Sequence, residues 1–72
     1  MIPAVVFLPI KPRIDNRELT RALGYPSRQL LYTWRLRQRF PDPVERRGDL
    51  RLTETSAVAA WLAERNHTVK WI

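Results

Sequence analysis

The sequence predicts a small α+β domain of three helices and a two-stranded hairpin, with room for further strands at the two ends. Three observations lead there. Two segments of helical apolar periodicity, 16–23 and 28–39, are separated by a link of a few residues that contains Gly24 and Pro26. The stretch "RFPDPVERRGDLRL", residues 39–52, places the turn pair Gly48-Asp49 between two short alternating segments. Beyond it, Ala57, Val58, Trp61 and Leu62 recur at the spacing of a core-facing helix. A chain of 72 residues has room for one domain, 1–72, with a small core.

The run Ala4-Val5-Val6-Phe7-Leu8-Pro9-Ile10 is the longest apolar stretch and far too short to cross a bilayer. It is interrupted by prolines, with neither the basic start nor the small-residue cleavage site of a signal peptide, and it reads as a strand. Asp15 is placed to cap the first helix, with Glu18 three residues on to complete a capping box. That helix is expected to run to about Leu23, with Leu19, Ala22 and Leu23 on one face and Arg17 and Arg21 away from it. Gly24 suits a left-handed residue after the helix, Pro26 prevents its continuation, and Ser27 can cap the next. Two helices joined so closely are the sequence form of a helix-turn-helix.

In the second helix the helical angle places Leu30, Leu31, Trp34 and Gln38 inward and Gln29, Tyr32, Thr33 and Leu36 outward, flanked by Arg28, Arg35 and Arg39. Phe40 is expected to close this helix onto the core, and Pro41 and Pro43 to hold an extended turn. In the hairpin, Val44, Leu50 and Leu52 are expected inward, with Arg46, Arg47 and Arg51 outward or at the tip. Thr53 or Thr55 can cap the third helix, where Trp61 reads as packing. The tail, residues 67–72, alternates and is expected as a strand against the N-terminal run or against another protomer.

Thirteen Lys and Arg against seven Asp and Glu give a net charge of +6, and only Lys11 and Lys70 are lysines. Arginine forks bind phosphate or guanine in bidentate fashion, so this balance favours duplex DNA as partner. The outer face of the second helix suits base reading: Gln29 for adenine, Thr33 or Leu36 for a thymine methyl. Arg35, Arg39 and Arg51 suit phosphates, and an arginine of the hairpin suits the minor groove. The chain has no cysteine, hence no disulfide or thiolate ligand, and a reducing cytoplasm is its natural setting. Its one histidine, His67, has no nucleophile or metal-binding company in sequence, while Asp42, Glu45 and Asp49 read as turn acids. Neither an enzyme, a cofactor, a metal nor a membrane partner is expected.

The segment from Ser27 to Arg65 resembles the excisionase and AlpA-type family of phage DNA-binding proteins. The resemblance is carried by the serine-capped "SRQLLYTW" helix, the "RFPDPV" junction, the Gly48 hairpin and the helix "SAVAAWLAER". It implies a winged helix-turn-helix in which Arg28, Gln29, Tyr32, Thr33 and Leu36 enter the major groove and Arg46 and Arg47 approach the minor groove. It further implies a recombination directionality factor of a phage or mobile element, binding cooperatively and bending DNA beside an integrase and other copies of itself. An AlpA-like transcriptional regulator is the related alternative, and a basic module that inhibits an acidic host protein uses the same arginines differently. Arg35 falls where relatives often carry an apolar residue and Leu36 where some carry a basic one, so base preference does not transfer.

Overall fold

A computed structural model describes residues 2–72, which form three helices and five strands in two sheets. The strands are β1 (Val5–Leu8), β2 (Arg13–Asp15), β3 (Glu45–Arg47), β4 (Leu50–Glu54) and β5 (Thr68–Trp71); the helices are α1 (Asn16–Ala22), α2 (Arg28–Arg37) and α3 (Thr55–Glu64). β1 and β5 form a parallel pair with Val5 opposite Thr68 and Leu8 opposite Trp71, so the N-terminal run and the tail meet as one of the two expected arrangements. β4 is the centre of an antiparallel sheet, flanked by β2 and β3. β2 adds to the expected elements; three residues leave too little alternation to announce a strand.

The helix boundaries follow from local chemistry. The Asp15 carboxylate accepts the N–H groups of Arg17 (2.9 Å) and Glu18 (2.8 Å), while the Glu18 side chain accepts the Asp15 N–H, so the capping box forms as the spacing requires. α1 ends in a Schellman arrangement: Tyr25 N–H donates to the Thr20 carbonyl (2.8 Å) and Gly24 N–H to that of Arg21 (3.3 Å). Gly24 takes φ 80° and Tyr25 φ 59°, a conformation that costs the tyrosine more than the glycine. Ser27 Oγ accepts the Leu30 N–H at 3.1 Å and starts α2.

Val6, Leu8, Ile14, Leu19, Leu23, Trp34, Phe40, Val58, Trp61 and Leu62 form the core, drawing on both sheets and all three helices. Its aromatic part is a triad. Phe40 meets Trp61 edge to face at 4.8 Å between centroids, and Trp34 lies 6.0 Å from Phe40 and 5.9 Å from Trp61. α2 thus joins the rest mainly through Trp34, with half-buried Leu31 beside it.

Four expectations are corrected. Leu30 is exposed, because the buried stripe of α2 is narrow and centred on Leu31 and Trp34, which leaves Leu30 on its flank. The helix stops at Arg37 rather than residue 39; Gln38 is its C-cap with an exposed side chain, and Arg39 turns left-handed at φ 57°. Val44 is 56% exposed, since Glu45 takes the position opposite Leu52 and alternation sends Val44 outward. Neither threonine caps α3: Glu54 occupies the cap without a side-chain bond, and Thr53 and Thr55 are both buried.

Candidate nucleic-acid interface

Gln29, Tyr32, Thr33 and Leu36 all stand exposed on the outer side of α2, with Arg28 at its first turn. Leu36 is 65% and Tyr32 63% exposed, which gives the ridge an apolar component beside its polar side chains. The Thr33 hydroxyl donates back to the Gln29 carbonyl at 2.9 Å, so it faces outward as an acceptor with its methyl beside it. Gln29 makes no side-chain hydrogen bond among the described residues, leaving its amide free for a base edge.

Arg35 is placed differently from the other candidates. Its guanidinium lies 5.8 Å above the Phe40 ring, its Nε donates to the Pro41 carbonyl at 3.4 Å, and the Asp42 carboxylate is 3.8 Å away. Burial pushes its pKa down, the Asp42 carboxylate opposes this, and the Arg51 charge adds to the lowering. Arg35 therefore braces the proline turn against α2. Arg39, beyond the helix end, is exposed.

The hairpin turns through Gly48-Asp49, with Gly48 at φ 56°. A two-residue turn sets Arg47 opposite Leu50, Arg46 opposite Arg51 and Glu45 opposite Leu52. Directly opposed residues share a face, so Arg46 and Arg51 stand together on the side away from buried Leu52. Arg47 lies on the Leu50 side, where its Nε donates to Glu45 Oε2 at 3.0 Å and Glu45 also accepts Arg13. The three hairpin arginines are thus divided, two on one face and one on the other. The Arg51 backbone is tied down, its N–H donating to Asn16 Oδ1 at 3.1 Å, and the Arg46 side chain donates through Nε to the Gly48 carbonyl at 3.2 Å.

Sequence reasoning missed the Arg46–Arg51 pair and the tether of α2. The first is recoverable by counting back from the two-residue turn. The second is not: the Gln38 carbonyl at the end of α2 accepts Trp61 Nε1 (2.8 Å) and Arg65 Nη2 (2.6 Å), while the Arg65 guanidinium stacks 4.2 Å from the Trp61 ring. Nothing in the spacing of residues 38, 61 and 65 signals that contact.

Among the described residues no group of three or more His, Cys, Asp or Glu side chains comes together as a metal site, and no helix is long and apolar enough to cross a membrane. The chain matches no protein-family model, no curated protein and no solved structure.

Proposed function

We propose that this chain is a sequence-specific DNA-binding protein of the winged helix-turn-helix kind, acting as a recombination directionality factor for a phage or mobile element. α2 is its recognition helix and the β3–β4 hairpin its wing. The observation that carries the reading is the cross-strand pair of Arg46 and Arg51 on the hairpin face away from buried Leu52, in a chain whose α2 also exposes Gln29, Tyr32, Thr33 and Leu36. Like charges directly opposed on a hairpin destabilise it. A phosphate backbone laid against that face converts the repulsion into binding, and in this reading the exposed ridge of Gln29, Tyr32, Thr33 and Leu36 enters the adjacent groove of the same duplex. The motif resemblance supplies the biological role: several protomers bind neighbouring sites and bend the duplex, which costs a few kcal/mol that their contacts offset.

The test is a binding assay on specific and scrambled duplexes across salt concentrations. Gln29→Ala is expected to cost about 1–3 kcal/mol on the specific duplex and almost nothing on the scrambled one. Arg46→Ala and Arg51→Ala are expected to weaken both alike and to reduce the salt slope by about 1 each. Equal losses on both duplexes for Gln29→Ala would refute base reading by α2, and absence of any complex with duplex DNA would refute the function.

A further inference from the structure

β1 and β5 form a parallel pair that shares no strand with the hairpin sheet. Alternation and register place Val6, Leu8, Val69 and Trp71 on one side of this pair and Val5, Phe7, Thr68 and Lys70 on the other. The first side faces the core, with Val6 and Leu8 fully buried and Val69 packed beside them. The second side is bare: Phe7 is 51% exposed, and Val5, Thr68 and Lys70 are exposed with it. Ile72, whose N–H donates to the Leu8 carbonyl at 2.9 Å, continues the bare side and is 70% exposed.

Parallel strands are normally covered on both faces, and their sequences then run apolar without alternation. β1 has that composition, Val5-Val6-Phe7-Leu8, directly after Ala4. A strand with one wet face would alternate apolar and polar residues instead. β1 is thus composed for a second cover, which none of the described residues supplies.

Charge indicates what the cover is. The chain carries +6, yet residues 2–10 hold no charged side chain and residues 68–72 only Lys70. Two copies repel each other over their arginine-bearing surfaces and meet here with almost no like charge, the Lys70 stem letting its ammonium reach water at the rim. A two-fold contact has to be self-complementary, which an uncharged apolar row satisfies and a basic surface does not. An acidic partner, by contrast, is drawn to the arginines rather than to this row.

We propose that the bare side of the β1–β5 pair is a homodimer surface, on which a second copy packs its own β1–β5 pair with Phe7 between Val5 and Ile72 at the centre. Both faces of the parallel strands are then covered. The surface includes no residue of α2 or of the hairpin, so the proposal stands apart from DNA binding and its test uses no DNA. So few side chains fall short of the ~800 Å² per partner of a standard interface, and the expected dissociation constant is on the order of 100 µM.

Sedimentation velocity of the full chain from about 10 µM to about 1 mM is expected to show a rising sedimentation coefficient. Added salt is expected to strengthen this association, because it screens +6 against +6, whereas binding to a polyanion weakens with salt. Over the same dilution, NMR amide shifts are expected to move in residues 4–10 and 67–72 and to stay fixed in α2. Phe7→Lys is expected to weaken association at least about tenfold and Phe7→Leu to retain it, both with urea midpoints close to wild type. A chain that remains monomeric at about 1 mM and high salt would overturn the proposal and leave the face to a different protein. Association whose shifts fall on α2 or the hairpin, or that Phe7→Lys leaves unchanged, would overturn it equally.

Discussion

Asp15 shows how one side chain can hold a helix start and set a pH response. Its carboxylate accepts two backbone N–H groups of α1, and its backbone N–H is in turn taken by Glu18. The amide hydrogen bond from Glu18 is the chief cause of a pKa lowered from the ordinary 3.8; burial works against it, and the Glu18 side chain, Arg17 amide and Lys11 charge add to the lowering. The sign follows from linkage. A carboxyl with a depressed folded pKa contributes stability that is fully present above 3.8 and is lost as pH falls through the folded value. Asp15→Ala is expected to cost about 1 kcal/mol at pH 7, and Asp15→Asn less, because an amide oxygen still caps. Urea midpoints at pH 7 and near pH 3 check this: wild type loses stability between them by more than Asp15→Asn does, and identical pH profiles would remove the carboxylate from the account.

At the scale of elements, α2 is the helix with the least burial and the most exposed ridge. It is held at three points: Ser27 at its start, Trp34 in the aromatic triad, and the Gln38 carbonyl bound by Trp61 and Arg65 at its end. The last of these fixes the direction in which the ridge points relative to α3. Arg65→Ala removes a charged hydrogen bond and a stacked cation, and is expected to cost about 1–3 kcal/mol. Hydrogen exchange should show the loss concentrated in the final turn of α2, and uniform loss across the chain would argue against a specific tether. The same element marks how far sequence reasoning reaches. Caps, turns and the aromatic plug are local or periodic, so Asp15, Ser27, Gly24, Gly48 and Phe40 were legible from neighbouring residues. The roles of Arg35, Val44 and Leu30 were not, because they depend on which neighbour from elsewhere covers the helix flank and on a register shift of one residue. Of the candidate interface, the α2 ridge was readable and the division of the hairpin arginines between two faces was not.

At the scale of the whole molecule, the chain closes on itself. β1 and β5 pair in parallel although Val5 and Thr68 stand at opposite ends of the sequence, and α1, the hairpin and α2 all lie between them. Val6 and Leu8 are fully buried beneath this sheet, and Val69 packs against the same core. A core this small leaves a stability of roughly 0.05–0.15 kcal/mol per residue, so loss of one strand is a large fraction of the total. Val69→Asp puts an unpaired charge against apolar neighbours and is expected to cost several kcal/mol, enough to populate the unfolded state at room temperature. The hairpin sheet and the α2 ridge share no strand with β1 and β5, however, and their arginines and exposed ridge side chains are untouched by the change. Duplex affinity, corrected for the folded fraction measured by urea titration, is therefore expected to stay within about 0.5 kcal/mol of wild type. A larger loss in the folded fraction would mean that the terminal sheet itself takes part in binding, whether by touching DNA or by joining protomers along it.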